Sequence, residues 1–236
     1  MIERHGNIFV VRDDLRPGGA KTRFVEHAIA PGARELVYGA PFCGGAPLAL
    51  AVIGQQLGVA VTIFYAARAE LTARQKRVES YGAALQFVSP GYMTVVQARA
   101  RAYALNVGAQ FLPLGIDVPA VEAPFVASLR SEADDAGLDP SEVWCATGSG
   151  MLARCLGLAF PSAQIRAVAV GLESRWSNQF FMPSNVEITP AGMPFEKKTK
   201  ATAPFDSCGH YDRKAWARCV NEAKPGALFF NVLGDE

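Results

Sequence analysis

Apolar, β-branched runs alternate with helical patterns along most of this chain, and that alternation limits the fold more than any other feature. Ile8–Val11, Leu36–Gly39, Val59–Tyr65, Leu85–Val88, Ala109–Leu114, Val143–Ala146, Ile165–Val170 and Leu228–Leu233 read as strands. Between them lie helical segments at Ala46–Leu57, Leu71–Tyr81, Met93–Asn106, from Pro119 to Gly137, at Met151–Ala159 and at Asp212–Ala223. Strands joined through helices pair in parallel, because each crossover returns the chain to the end where it started. The pattern therefore predicts an α/β fold, a three-layer, mostly parallel sheet with helices on both faces. Ligands in such folds bind beyond the C-terminal ends of the strands. Both Gly39–Gly45 and Thr147–Gly150 fall at that end. From Glu173 to Tyr211 prolines, glycines and short polar runs break the alternation and predict a long, partly structured connection.

The chain has 236 residues, 50% of them hydrophobic, enough for one large domain or two small lobes. A net charge of +1 gives no general attraction for polyanions. The basic run Glu196–Lys200 reads either as a solvated loop or as a local patch. Cys43, Cys145, Cys155, Cys208 and Cys219 form no CxxC pair and no metal-ligand spacing with His5, His27 or His210. Cys145 and Cys155 sit in apolar runs and read as core. The odd cysteine count and the lack of a signal-peptide pattern predict a reducing, cytoplasmic setting. No apolar run reaches the length that crosses a membrane.

Two short stretches carry chemistry. In Arg12–Arg23 a glycine-rich turn, Gly18-Gly19-Ala20, follows an apolar strand and places Lys21 in a constrained position. In Val143–Met151 a buried strand runs into Thr147-Gly148-Ser149-Gly150 and opens a helix at Met151. Free N–H groups and the helix dipole both face such a turn, which makes it an anion site. Each stretch also has an ordinary reading: a lone lysine is usually a solvated surface residue, and Ser149 is a ready N-cap. An amine and a phosphate cradle are together the two anchors that pyridoxal phosphate (PLP) needs.

The order Asp13-Asp14-Leu15, then Gly18-Gly19-Ala20-Lys21-Thr22-Arg23, then Thr147-Gly148-Ser149-Gly150, resembles the fold-type II PLP enzymes, the group of aminocyclopropane-carboxylate deaminase, D-cysteine desulfhydrase and the tryptophan synthase beta chain. The likeness runs from about residue 8 to residue 171 and returns near the C-terminus. It implies a compact unit of two lobes over residues 1–236, with a reduced small lobe, roughly residues 40–115, inserted in the larger one. It implies that Lys21 holds PLP as a Schiff base and then acts as acid or base, and that Thr147, Gly148, Ser149, Gly150 and Met151 hold the phosphate. Cys43-Gly44-Gly45 stand where the family carries a Ser-Asn-His-like run against the ring oxygen and the substrate carboxylate, so only backbone N–H groups remain for that task. Cys43 itself reads as an active nucleophile or, alternatively, as a small filler. Where the family offers a hydroxyl to the pyridine nitrogen, the nearest polar residue here is Asn231. As a neutral partner it is expected to leave that nitrogen unprotonated and the electron sink weak.

Tyr92, in Gly91-Tyr92-Met93, reads as a substrate contact or as a tyrosine with its hydroxyl in solvent. Ser207-Cys208-Gly209-His210-Tyr211 reads as a substrate loop, with Ser207 and Tyr211 as contacts, or as the start of the following helix. The resemblance implies a lyase, deaminase or decarboxylase working at the Cα of an amino-acid-like amine, and a homodimer. The short length, the Pro90-Gly91-Tyr92 segment and Lys224–Asn231 are also similar to compact PLP proteins of bacteriophages, some of which act on an amino acid attached to a modified thymidine in DNA. The altered Cys43 turn and the missing hydroxyl also fit a PLP-binding scaffold without turnover.

Overall fold

The structure is a computed structural model that describes residues 1–89, 91–170 and 182–235. Among them the strands are β1 (Ile2–His5), β2 (Ile8–Arg12), β3 (Glu35–Ala40), β4 (Ala60–Ala66), β5 (Ala84–Val88), β6 (Gln110–Leu112), β7 (Glu142–Thr147), β8 (Gln164–Ala169), β9 (Val186–Pro190) and β10 (Leu228–Asn231). The α-helices are α1 (Ala46–Leu57), α2 (Ala73–Ser80), α3 (Met93–Val107), α4 (Pro119–Asp134), α5 (Met151–Ala159) and α6 (Asp212–Glu222). The chain divides into two compact units, one made of Met1–Arg16 with Glu122–Asp235 and the other of Pro17–Val121.

The first unit holds a six-stranded sheet in the order β1-β2-β10-β7-β8-β9. Only the β1–β2 pairing is antiparallel; the others are parallel. The register sets Phe229 beside both Val10 and Trp144. These side chains, with Ala146 and Val168, form one face of the sheet and pack with Ala215, Trp216 and Cys219 of α6. Alternation turns Cys145 and Phe230 to the opposite face. There Phe160, at the end of α5, meets Phe230 with ring centroids 6.4 Å apart. Helices therefore cover both faces, as the strand–helix alternation predicts. β9 lies within the stretch read as a connection; residues 173–181 of that stretch are outside the described residues.

The second unit holds a four-stranded, all-parallel sheet in the order β5-β4-β3-β6. Val37 and Phe64 pack with Val96, Ala100 and Ala104 of α3. Leu36, Tyr38, Val61 and Ile63 point to the other face and are buried. α1 lies on that face so closely that a Cβ at Gly54 would stand 2.4 Å from Val61. α1 has no charged residue between Ala46 and Leu57 because its first three turns are buried.

Candidate functional site

In the second unit the lysine-bearing turn is fixed through its backbone. Gly18 has φ +86°, and a Cβ there would stand 2.8 Å from the Thr22 methyl and 2.9 Å from Ala49 Cα. The turn is thus seated on the first turn of α1, at a distance only glycine permits. Ala20–Arg23 form a 3₁₀ turn in which the Thr22 N–H and hydroxyl both donate to the Gly19 carbonyl, at 3.1 and 2.8 Å. The Lys21 carbonyl accepts from the Phe24 N–H at 3.2 Å, and Phe24 and Val25 are buried. Lys21 is half-buried, not a fully solvated surface residue.

The turn between β3 and α1 lies in the same unit. The Gly44 N–H donates to Pro41 O at 3.1 Å. The Cys43 carbonyl accepts from the buried Arg74 guanidinium at 3.1 Å. Gly45 precedes α1, and no side chain caps the helix. Cys43 is 6% exposed, which suits the filler reading. Tyr92, at the start of α3, is 73% exposed and stands in solvent.

The first unit carries the other stretch. β7 ends at Thr147, whose side chain is 1% exposed and whose hydroxyl has no hydrogen-bond partner among the described residues. Gly150, not Ser149, is the N-cap of α5; it has φ +91° and gives no side-chain bond to the helix. Ser149 is exposed. The first intrahelical bond runs from the Arg154 N–H to Gly150 O, so the N–H groups of Met151, Leu152 and Ala153 have neither helical acceptor nor side-chain cap. A Cβ at Gly150 would stand 2.6 Å from Met182 Cε, whereas one at Gly148 would rest 3.5 Å from the Tyr211 ring. Burial pushes the Tyr211 phenol well above its ordinary pKa, with Asp212 adding to the effect, so Tyr211 is a neutral hydroxyl beside the loop.

Asn231 closes β10, the strand next to β7. It is 0% exposed. Its amide donates to Asp14 Oδ1 and to Asp206 O, both at 2.7 Å, while its Oδ1 has no partner among the described residues. Ser207, the residue after Asp206, is likewise buried with an unpartnered hydroxyl among those residues. Buried polar atoms are almost always hydrogen-bonded, so three such atoms around the ends of β7 and β10 mark a place made for a polar ligand. Sequence reasoning did not find Asp14 in this role. The signal present was its place in the Asp-Asp-Leu run before the lysine motif.

A phosphate monoester is a pure acceptor at its oxygens. Three N–H groups at a helix start and a buried hydroxyl, none with a partner among the described residues, fit it. Lys21 supplies a primary amine on a fixed turn in the second unit. The residues thus fit PLP.

Comparison with known proteins agrees. Residues 2–202 match the family described as pyridoxal-phosphate dependent enzyme. The chain belongs to that family. Its fold is that of the fold-type II members. The solved structure of an ACC deaminase homologue superimposes with a TM-score of 0.85 at 17% identity, over 96% of this chain and 84% of that one. The threonine deaminase of T.th. gives 0.70 at 14% identity, over 97% and 87% of the two chains. Diaminopropionate ammonia lyase from Escherichia coli gives 0.64 at 14%, over 97% and 78%. The curated protein sequences contain no match. Among the described residues no helix is long and apolar enough to cross a membrane.

Proposed function

We propose that this PLP-dependent family member is a lyase, deaminase or decarboxylase that breaks a bond at the amine-bearing carbon of an amino-acid-like substrate, with Lys21 as the covalent anchor. The observation that carries the reading is the start of α5: a helix N-terminus without a side-chain cap, next to the buried Thr147 hydroxyl, which has no partner among the described residues. The reaction class follows the structural neighbours, which include an ACC deaminase homologue, a threonine deaminase and an ammonia lyase.

In this reading PLP supplies an electron sink when bound. Thr147 Oγ and the main-chain N–H groups of residues 148–151 hold its phosphate, and the dipole of α5 adds to their attraction. The Lys21 amine would hold the cofactor and, when free of it, would move a proton at the substrate Cα. The free N–H groups at the start of α1, beyond Cys43-Gly44-Gly45, bind the substrate carboxylate. That turn has no bulky side chain, so it sets little limit on substrate size.

The test is covalent trapping. Purified protein incubated with PLP is expected to absorb near the visible edge, and borohydride is expected to fix the cofactor on the peptide containing Lys21. Wild type then releases ammonia, a keto acid or carbon dioxide from amino acids, and Lys21→Ala does not. A protein that stays colourless and unlabelled refutes the reading, as does label on a different lysine.

A further inference from the structure

The hydrogen bonds of Asn231 determine what it can offer a ligand. Both of its neighbours, the Asp14 carboxylate and the Asp206 carbonyl, are acceptors, so the amide N–H₂ must face them and Oδ1 must face away. A flipped amide would set its oxygen against two other oxygens. The Arg12 guanidinium grips the same carboxylate at two points, Nε to Oδ1 at 2.9 Å and a terminal N–H₂ to Oδ2 at 2.8 Å, which fixes both of its oxygens as acceptors. Arg12 is held in turn by Glu3 and lies over the Phe205 ring at 5.3 Å. The row Arg12–Asp14–Asn231 therefore ends in one buried acceptor that has no donor among the described residues. Hydrogen bonding to the Asp14 carboxylate also polarises the amide and makes that oxygen a stronger acceptor.

This oxygen stands at the end of β10, one strand from Thr147 at the end of β7. Neighbouring strands lie about 4.8 Å apart. In PLP the ring nitrogen and the carbon bearing the phosphate arm are separated by a single ring carbon. With the one-carbon, one-oxygen arm that joins ring and phosphate, a phosphate on the 147–151 loop would leave the nitrogen within reach of the adjacent strand.

We infer that Asn231, oriented by Asp14, acts purely as a hydrogen-bond acceptor toward the ring nitrogen of PLP and so holds that nitrogen in its protonated form. The inference rests on the PLP reading above. It reverses the expectation that a neutral residue leaves the ring unprotonated: a neutral side chain whose donors are both occupied selects a donor. Asp14 and Arg12 offset one another, Glu3 adds a negative charge behind Arg12, the Asp206 side chain accepts from the Asp235 N–H, and Asp212 accepts from the Leu233 N–H. The strong sink that follows removes the argument against transamination that a weak sink would give.

The experiment loads the full-length protein with PLP labelled with nitrogen-15 in the ring and reads the ring-nitrogen chemical shift at neutral pH, with borohydride trapping on Lys21 as a parallel assay. Wild type is expected at the pyridinium position. Asn231→Ser, whose hydroxyl can donate, is expected to move to the neutral-pyridine position. Should that variant fail to fold, Asp14→Asn serves instead; loss of the carboxylate is expected to lower the pH at which the ring nitrogen gives up its proton by about 1 unit or more. A neutral pyridine in wild type that is nonetheless trapped on Lys21 overturns this inference and leaves the PLP reading intact. An unmoved pyridinium signal in both variants overturns it equally. Failure of PLP to bind at all overturns both.

Discussion

Gly148 and Gly150 sit two residues apart in one loop and have different tasks. At Gly150 the backbone is in the left-handed region and a Cβ would meet Met182, so Gly150→Ala is expected to cost about 1–3 kcal/mol of stability in denaturant titrations. At Gly148 a Cβ makes only ordinary contact with Tyr211, so Gly148→Ala is expected to shift stability by no more than about 0.5 kcal/mol. With phosphate on this loop, a bulky residue at Gly148 is expected to weaken PLP binding by about 1–3 kcal/mol, measured by fluorescence titration. Equal affinities would make the loop a turn and nothing more. His210 gives a second check. Burial lowers its pKa from 6.5, with the Phe195 carbonyl acting in the opposite sense. As pH falls through about 6.5 the unfolded chain takes up that proton before the folded one, so the folded state loses stability there. His210→Gln is expected to flatten this part of the stability–pH curve; an unchanged slope would assign the loss to other groups. The tight turns before Lys21 and after Thr147 were legible in the sequence because a turn that excludes side chains leaves glycines behind. The cap was misread as Ser149, because whether the N-cap falls at residue 149 or 150 depends on a single φ angle. The orientation of the Asn231 amide could not be read, since it is set by partners 217 and 25 positions away.

Among the elements, α6 is the one whose attachment can be tested most simply. Trp216 meets Phe205 at 4.8 Å and Phe229 at 5.2 Å, edge to face in both cases. Trp216→Ala is expected to destabilise the first unit by about 3–5 kcal/mol, read from the shift in the unfolding midpoint. A cost below about 1 kcal/mol would mean that the cluster closes over the space. The central strands were legible because both of their faces are buried and their sequences are continuously apolar: β4 and β7 were found within a residue or two. The edge strands were not. β1 reads Ile-Glu-Arg-His and β9 reads Val-Glu-Ile-Thr-Pro, both half-exposed, so neither needs an apolar run, and Pro190 is a residue that sheets admit at their margins. The antiparallel β1–β2 pairing was therefore invisible, as was the strand inside the supposed connection.

For the molecule as a whole, a ligand that binds only the folded chain must raise its stability. At 100 times its dissociation constant PLP adds about 2.7 kcal/mol. Thermal unfolding with and without PLP is expected to show that gain in wild type, a smaller one in Lys21→Ala, which keeps the phosphate anchor, and little in Gly150→Ala. Identical shifts in all three would place the cofactor elsewhere. The strand–helix alternation announced the fold class but not that it is shared between two sheets, because periodicity reports which faces are buried and not which strands are neighbours.

The position of β10 has a consequence for how the protein is made. Residues 17–121 form an unbroken stretch whose four strands all pair with one another, so that unit has everything it needs once the stretch has left the ribosome. The other unit does not: the strand between β2 and β7 is made after the other strands among the described residues. Until Leu228–Asn231 emerge, β2 and β7 each present an open edge, and Asp14 waits for a partner 217 positions downstream. Such edges invite pairing with the wrong strand. A nascent chain halted before residue 228 is thus a species with one finished half and one adhesive half. The cell's chaperones would be expected to meet this protein chiefly in that interval.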